Sequence, residues 1–538
     1  MPDRSELWDY LFVTAANEQQ AASYESLLQL RRENGGLPEV RHVLVAPDAG
    51  GRRIGSGGST IQCLREVLRR EAPPQTVSAD SDAAEAVLRR LRVLIVHGGG
   101  DSRRLPAYSP CGKIFVPLPG EASFPFAPTL FDRLVPAFLA LSPGLPGAGQ
   151  VVVAAGDALI LFDASEARFS RSGIIALGAR VPPEEAARHG VYCTQGDGAV
   201  RLYLQKPSVA EQMKAGAIGA DGQSVLDIGV MSFDAAAASR LLRAFSTPSV
   251  QEAILSHGID LYREICCALG AEATFAHYLA AARASGSRIA EPLMAELFGQ
   301  LRSVPLSVET LRECSFLHFG STRQLIASGI ELVTRDRGFP PVDGALSIAN
   351  EIQPGGRLDA TESWVEGCRL SAPLKLHGRN VIVGVDVDEP FELPMGTCLD
   401  VSPGLDRRSQ KAWFIRYYGV NDTFKDALAK GGTFCGQPLA RWLSAAGVSS
   451  AEVWDSGSEQ TLWNARVFPA EKDHHAYRRW RWMLDAENAD SEQKRMFLTA
   501  DRYSAAEIAL QIDHAAFSGR RAAIRAAGGP HPRPPDIR

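Results

Sequence analysis

VLIVHGGGDSRRLPAYSPCGKIFVPLP, at residues 93–119, is the stretch from which the fold of this chain can be predicted. The residues from Val93 to Val96 are all apolar, with Leu91 close by, and they predict a strand buried as in a parallel sheet. Glycines follow the strand, and glycine adopts backbone angles that other residues avoid. The sequence therefore predicts a buried strand that opens into a turn at Gly98, Gly99 and Gly100.

The residues after the glycine turn suit a phosphate ligand. Arg103 and Arg104 supply positive charge, and Lys113 adds another cation in the same stretch. Backbone N–H groups and guanidinium groups both donate hydrogen bonds to phosphate oxygens. We therefore predict a phosphate site here, in which Asp101 and Ser102 also take part.

Two common phosphate-binding loops do not fit this stretch. A Walker loop needs glycine at position 107 and Ser or Thr at position 114, where this chain has Ala107 and Ile114. The dinucleotide-binding fingerprint needs glycine at position 103, which is Arg103. A phosphate loop of another kind is therefore expected.

The residues before this stretch alternate between strand and helix patterns. Residues 10–16 and 42–48 predict strands, and residues 18–33 predict a helix capped by Asn17. Strands that alternate with helices form a parallel sheet covered on both faces. Ligands of such sheets bind at the carboxyl ends of the strands, which is where the glycine turn lies.

A second glycine-rich run lies between the strand at 42–48 and a helix predicted to start near Ile61. A glycine loop that feeds a helix N-terminus presents free N–H groups and the positive end of the helix dipole to an anion. The alternative is a flexible connection with a Ser or Thr cap. The run consists of Gly55, Ser56, Gly57, Gly58, Ser59 and Thr60.

Three further polar residues follow or interrupt predicted strands. Asp157 ends the apolar run 151–157, Lys206 follows a predicted hairpin, and Asp227 lies in the apolar run 225–234. A carboxylate at the end of a buried strand is costly unless it meets solvent, a donor or a cation. Asp157 is therefore either a turn or cap residue or a ligand of Mg²⁺, and Lys206 is either a solvated charge or a phosphate contact.

The order of these motifs resembles one family. The pattern G-G-x-(G/D)-(S/T)-R-L-x-P with a downstream G-K or P-K is that of sugar nucleotidyltransferases. The variant here, with Asp101 and Gly112-Lys113, is similar to the fucose-1-phosphate guanylyltransferase (GDP-fucose pyrophosphorylase) family. The resemblance runs over about residues 10–470. The kinase motif P-x-x-x-G-L-G-S-S, found in members fused to a fucokinase, is absent from this sequence.

The resemblance implies a role for each site residue. Arg103 would contact the leaving phosphates, Lys113 the α-phosphate and Lys206 the sugar phosphate. Asp157 and Asp227 would hold the Mg²⁺ cofactor. The nucleotide would be bound by residues of both glycine runs, namely Gly55, Ser56, Gly57, Gly58, Gly98, Gly99, Gly100, Asp101, Ser102 and Arg104.

The expected reaction is GTP + L-fucose 1-phosphate → GDP-L-fucose + pyrophosphate. Such chemistry needs positioning and charge neutralisation at phosphorus rather than a protein nucleophile. Two alternatives stay open, which are the same chemistry on another sugar phosphate or nucleotide and a catalytically silent subunit that binds a sugar nucleotide. The sequence also leaves open the oligomeric state and the contacts to guanine and sugar.

Composition limits the class of protein. A hydrophobic content of 45%, with 22% charged residues, is typical of a soluble globular protein. The net charge of −5 gives no bulk electrostatic case for nucleic-acid binding. Nine scattered cysteines without a Cys-x-x-Cys pair favour a reducing cytoplasm. No signal-peptide pattern and no apolar run of about 18 residues is present, so no membrane partner is expected.

The sequence predicts a Rossmann-like α/β nucleotidyltransferase domain with a mixed, mostly parallel sheet, followed by a small parallel β-helix and a helical region. His318 could touch ligand, although a structural histidine is the commoner role. The predicted ranges are 1–340 for the catalytic domain with a helical insert at 236–303, 341–410 for the β-helix, 411–525 for the helical region and 526–538 for a disordered tail.

Overall fold

The structure, a computed structural model, describes residues 7–72, 81–98, 100–120 and 126–527. Gly99 and residues 528–538 of the predicted tail therefore lie outside the described residues. The chain divides into two compact units. The first unit comprises Met1–Glu25, Pro38–Gly100 and Asp132–Phe316, and the second comprises Ser26–Leu37, Asp101–Phe131 and Leu317–Arg538.

These units differ from the contiguous ranges predicted from the sequence. The final boundary falls after Phe316 rather than at residue 340, and the segment 101–131 belongs with the carboxyl-terminal residues. Sequence patterns delimit stretches that are continuous along the chain, whereas a compact unit is defined by which stretches pack together. The glycine turn and the arginines that follow it are consequently assigned to different units, with the division after Gly100.

The first unit is built on a nine-stranded mixed sheet, and the strands predicted at 10–16 and 42–48 are confirmed as its β1 and β2. The order is β10-β6-β9-β4-β3-β1-β2, with β7 on β9 and β8 on β7. The neighbours among β1 to β4 pair in parallel, and β9 runs antiparallel to β4 and β6. The strands up to residue 318 are β1 Tyr10–Ala15, β2 His42–Pro47, β3 Arg92–His97, β4 Gln150–Ala155, β5 Ala158–Phe162, β6 Ile174–Val181, β7 Gly190–Thr194, β8 Val200–Gln205, β9 Ser224–Phe233, β10 Leu306–Leu311 and β11 Cys314–His318.

Helices pack against this sheet because its strands are apolar and buried on both faces. The helix predicted at 18–33 is confirmed as α1, and the predicted insert 236–303 is indeed helical. The α-helices up to residue 301 are α1 Glu18–Glu33, α2 Gly55–Glu71, α3 Ser81–Leu88, α4 Leu130–Leu139, α5 Pro183–Ala186, α6 Val209–Lys214, α7 Ala235–Ala244, α8 Pro248–His257, α9 Phe275–Ala284 and α10 Glu291–Leu301.

The second unit contains three ladders of short strands that pair in parallel. The first ladder runs β12-β15-β18-β21 and continues antiparallel into β22, and the others run β13-β16-β19 and β14-β17-β20. In the first ladder Leu346 aligns with Trp364, then Val381 and then Cys398.

The strands after residue 340 are β12 Leu346–Ile348, β13 Glu351–Ile352, β14 Arg357–Ala360, β15 Trp364–Glu366, β16 Arg369–Leu370, β17 Pro373–Leu376, β18 Val381–Val383, β19 Asp386–Val387, β20 Phe391–Leu393, β21 Thr397–Leu405, β22 Lys411–Gly419, β23 Thr433–Phe434, β24 Gln437–Pro438, β25 Phe468–Glu471 and β26 Arg502–Tyr503. The remaining α-helices are α11 Thr322–Arg337, α12 Leu439–Ala446, α13 Ser450–Val453, α14 Ser491–Thr499, α15 Ala505–Gln511 and α16 His514–Ala527. Among the helices described, none combines the length and the apolar character needed to cross a membrane.

Candidate active site

A cavity of about 400 Å³ opens at the carboxyl ends of β1 and β3 in the first unit. This is the edge of the sheet at which α/β proteins bind their ligands. The side chains and backbone that line it are strongly polar, with two aspartates, two histidines and two arginines among them. They are Thr14, Ala15, Ala16, Asp48, Arg53, Gly55, Ser56, Ser59, His97, Gly100, His257, Gly258, Asp260 and Arg263.

The glycine run 55–60 forms the start of α2, so the prediction of a loop that ends near Ile61 is wrong. The N–H groups of Gly57 and Gly58 both donate to the carbonyl of Ile259, at 2.9 and 3.1 Å. These donors, expected to be free for an anion, are therefore used within the chain. The helix begins early because a carbonyl distant in sequence satisfies its first N–H groups.

The glycines of this run also allow a close approach. Gly55 has φ +77°, and a Cβ at this position would lie 2.3 Å from the carbonyl oxygen of Ile259. We expect Gly55→Ala to lower the free energy of unfolding by about 3 kcal/mol, because strain at positive φ adds to a backbone clash. Thermal and urea denaturation measure this. Gly196→Ala is the matched control, since a Cβ there meets nothing within 4 Å.

Two buried or partly buried aspartates organise the wall of the cavity, and the sequence patterns did not single them out. Asp48 follows β2 and accepts hydrogen bonds from Ser59 Oγ at 2.7 Å and from the N–H of Ile54 at 3.3 Å. Asp260 accepts from Ser56 Oγ at 3.2 Å and from the N–H groups of Tyr262 and Arg263. The only local signal was for Asp48, which follows an apolar strand at the binding edge of the sheet.

The burial of Asp48 raises the pKa of its carboxyl group to about 6. An aspartate whose pKa is raised on folding favours the protonated form, so its contribution to stability falls as pH rises from about 4 to about 6. We expect Asp48→Asn to remove this loss, worth about 2–3 kcal/mol for a shift of about two pKa units. Urea denaturation at pH 4.5 and pH 7 measures it. Parallel pH profiles of wild type and variant would contradict the assignment.

His97, the last residue of β3, lies between two threonines at the floor of the cavity. Its Nδ1 is 3.3 Å from Thr14 Oγ1, and its Nε2 is 3.1 Å from Thr60 Oγ1. Burial lowers the pKa of His97 to about 4. The imidazole is therefore neutral near pH 7 and serves as a hydrogen-bonding group rather than as a cation for phosphate.

Asp227, predicted as a metal ligand, is buried in β9 at the point where its register with β6 shifts. Its carboxylate accepts from Tyr203 Oη at 2.9 Å and from the N–H of Gly229 at 2.8 Å. Burial raises the pKa of Asp227 to about 6. Asp157 lies in the bend between β4 and β5, rather than at the end of a strand that runs to 157.

The two predicted metal ligands share a neighbour. Burial raises the pKa of the Tyr262 phenol well above its usual value, and Asp227, Asp260 and Asp157 raise it further. Three carboxylates thus act on one hydroxyl group in the first unit. Within the described ranges no group of three or more His, Cys, Asp or Glu side chains is arranged to hold a metal ion. Two carboxylates with phosphate oxygens nonetheless form a donor set that suits Mg²⁺.

Lys206 follows the hairpin of β7 and β8, whose turn at Gly196–Gly198 is confirmed. The residue has φ 50°, and its N–H donates to the carbonyl of His189 at 2.9 Å. Its side chain is exposed, which leaves it able to reach a ligand. A left-handed lysine is unusual and fixes the direction in which the chain leaves the hairpin.

In the second unit, the residues after the glycine turn form a tightly hydrogen-bonded segment. Arg103 forms an ion pair with Asp101 at 2.6 Å, and Arg104 is exposed while its carbonyl accepts the N–H of Thr322 at 2.9 Å. Ser102 has φ 56°, and its buried Oγ has no hydrogen-bond partner in the described part of the chain. An orphaned buried hydroxyl next to two arginines is consistent with a ligand that would complete its hydrogen bonding.

Lys113 is buried, with 7% of its surface exposed, and begins a 3₁₀ turn that ends at Phe115. His318, at the end of β11, accepts the hydroxyl of Ser328 at its carbonyl at 2.7 Å. The predicted site residues thus fall in both units. Gly55, Ser56, Gly57, Gly58, Gly98, Gly100, Asp157, Lys206 and Asp227 belong to the first unit, and Asp101, Ser102, Arg103, Arg104 and Lys113 to the second.

A mixed, parallel-rich sheet with a polar cavity at the carboxyl ends of its strands defines an α/β protein with a small-molecule site. The family within this class is given by comparison with known sequences. The model of the fucose pyrophosphorylase domain matches residues 85–473, so the chain belongs to the fucose pyrophosphorylase family.

Similar proteins include both bifunctional and single-activity enzymes. The bifunctional fucokinase/GDP-fucose pyrophosphorylase of Arabidopsis thaliana is 26% identical over 94% of this chain and 51% of its own length. The L-fucokinase/L-fucose-1-P guanylyltransferase of Bacteroides fragilis is 26% identical over 86% of this chain and 46% of its own. The chain thus spans about half of each of these two relatives.

The fucose-1-phosphate guanylyltransferase of Mus musculus is 25% identical over 86% of this chain and 84% of its own length. The match to a solved crystal structure, that of mannose-1-phosphate geranyltransferase from Thermus thermophilus, covers 73% of this chain and 92% of the other, at 15% identity. Its TM-score of 0.24 is too low to bear on the fold.

Proposed function

We propose that this chain is a fucose-1-phosphate guanylyltransferase. A phosphate oxygen of L-fucose 1-phosphate attacks the α-phosphorus of GTP and forms a new P–O bond. The bond between the α-phosphorus and the bridging oxygen to the β-phosphate breaks, and pyrophosphate leaves with the electron pair. The products are GDP-L-fucose and pyrophosphate, and no protein nucleophile is required because the attacking oxygen is already an anion.

The observation that carries this proposal is the similarity to the mouse guanylyltransferase, which extends over more than four-fifths of both chains. A shared family supports the reaction class, and the extent of the match supports the same substrates. The polar cavity at the strand ends, with a volume of about 400 Å³, supports a ligand of nucleotide size in the first unit.

The cations of the second unit suit the triphosphate. We assign Arg103 to the phosphates that leave and Lys113 to the α-phosphate. Lys113 is buried, so its charge acts through a medium of low dielectric and stabilises developing negative charge more strongly than an exposed lysine does. The ion pair with Asp101 fixes the direction of the Arg103 guanidinium before substrate binds.

The acids of the first unit suit a cation. We assign Asp157 and Asp227 to hold Mg²⁺ and Lys206 to hold the sugar phosphate. When bound, Mg²⁺ supplies charge neutralisation at the phosphate oxygens. Tyr203 and Gly229 keep the Asp227 carboxylate in one orientation through their hydrogen bonds.

A substrate panel tests the proposal. Pyrophosphate release is measured with GTP, ATP, UTP and CTP, each with L-fucose 1-phosphate, mannose 1-phosphate and glucose 1-phosphate. We expect turnover with GTP and L-fucose 1-phosphate to exceed every other pair. Equal rates with mannose or glucose 1-phosphate would refute the fucose assignment. Binding of GDP-fucose in calorimetry without turnover would instead indicate a sugar-nucleotide-binding subunit.

We also propose that the three parallel ladders of the second unit form a small parallel β-helix. Their strands recur at regular intervals and pair in register, as in the alignment of Leu346, Trp364 and Val381. A cytoplasmic location is supported by the cysteines, since all nine are free thiols.

A further inference from the structure

Tyr108 is a fully buried residue of the segment that carries Arg103 and Lys113. It lies at the end of a 3₁₀ turn, and its hydroxyl receives the indole N–H of Trp364 at 2.7 Å. The same hydroxyl donates to Glu366 Oε2 at 3.3 Å. Trp364 and Glu366 are two residues apart on β15, so they project from the same face of the strand toward one phenol.

Glu366 is in turn held by the last described helix. Arg521 of α16 donates from Nε to Oε1 and from Nη2 to Oε2 of Glu366, both at 2.9 Å. The guanidinium also lies 3.6 Å above the ring of Phe517. A bidentate, buried pair of this kind is strongly directional. The three residues Tyr108, Glu366 and Arg521, called here the tyrosine anchor, all belong to the second unit.

The backbone transmits the position of Tyr108 to the arginines. The N–H of Leu105 donates to the carbonyl of Ser102 at 2.7 Å, and the N–H of Tyr108 donates to the carbonyl of Leu105 at 3.2 Å. On the other side, Cys111 Sγ lies 3.7 Å from the carbonyl of Tyr108, directly before the turn that starts at Lys113. Consecutive turns without slack connect Tyr108 to the cations on both sides.

We propose that the tyrosine anchor positions the segment 102–113 so that Arg103 and Lys113 meet the phosphates in the transition state. The inference rests on the proposed function for those two cations. No residue of the anchor touches substrate, so each is a positioning residue. The physical basis is that small displacements of a charged group from a phosphate cost catalysis before they cost binding.

Tyr108→Phe tests the anchor by removing one hydroxyl. We expect kcat to fall by about 10- to 100-fold with little change in KM for GTP. Tyr417→Phe is the matched control, because its hydroxyl is equally buried in the same unit and donates to the carbonyl of Tyr477 at 2.9 Å. We expect the two variants to melt at similar temperatures. Equal kcat in Tyr108→Phe and Tyr417→Phe would overturn the proposal.

A double-mutant cycle separates positioning from a general loss of structure. Arg103→Lys keeps the charge but removes the planar donor geometry. If the anchor acts through Arg103, Tyr108→Phe costs much less in the Arg103→Lys background than in wild type. Fully additive effects on kcat would overturn coupling to Arg103.

The anchor and the proposed function fail in different ways. If Arg103→Lys alone keeps the wild-type rate, the assigned role of Arg103 is refuted, whereas a loss of kcat in Tyr108→Phe still supports positioning of Lys113. Arg521→Lys provides a second variant that keeps the positive charge beside Glu366 and removes the bidentate contact. We expect it to lower kcat as Tyr108→Phe does, and an unchanged kcat would contradict the anchor.

Discussion

Lys113→Ala is expected to lower kcat for GDP-fucose formation by about 10³-fold, with a smaller change in KM for GTP. Lys113 is buried with 7% of its surface exposed, so water cannot replace its charge efficiently at the reacting phosphate. The proposed reaction has no protein nucleophile, and positioned cations therefore account for much of its rate. Initial rates of pyrophosphate release at saturating L-fucose 1-phosphate measure the effect.

The control for this variant is Lys430→Ala. Lys430 is an exposed lysine of the same unit, in a turn that ends at Gly431. We expect its removal to leave kcat unchanged, since an exposed charge far along the chain from the segment 101–118 is screened by solvent. A Lys113→Ala enzyme that folds and turns over at the wild-type rate would disprove the role assigned to this lysine.

Asp227→Asn is expected to lower kcat by about 10²–10³-fold and to weaken Mg²⁺ binding in the presence of GTP. The asparagine has nearly the same shape but lacks the negative charge that a hard cation requires. It also brings an amide NH₂ toward the hydroxyl of Tyr203 and the N–H of Gly229, both of which donate to the aspartate. Calorimetric titration with Mg²⁺ provides a readout that is independent of turnover.

Asp197→Asn makes the same chemical change at a harmless position. Asp197 lies in the exposed turn of the hairpin in the same unit, with 64% of its side chain exposed. We expect this variant to match wild type in both rate and Mg²⁺ affinity. Full activity of Asp227→Asn at ordinary Mg²⁺ concentrations would show that this carboxylate is not a ligand.

Local patterns predicted β1, α1, β2 and β3 closely because each depends on a short run of apolar residues with a clear period. The glycine run 55–60 was misjudged because its conformation depends on Ile259, whose carbonyl takes the first N–H groups of α2. No pattern within the run reveals that partner. The same holds for Asp260, which reaches Ser56 across 204 residues.

The sequence by itself determined the α/β class, the phosphate-binding character of residues 98–113 and the family, because these depend on residue types at short spacing. The tertiary structure decided which side chains surround the cavity, how early α2 begins and what holds the segment that carries Lys113. Tyr108 and Glu366 are 258 residues apart along the chain, so their contact depends on the packing of distant segments. Neither residue shows in its local sequence that it is buried against the other, because burial is set by the neighbours that folding brings together.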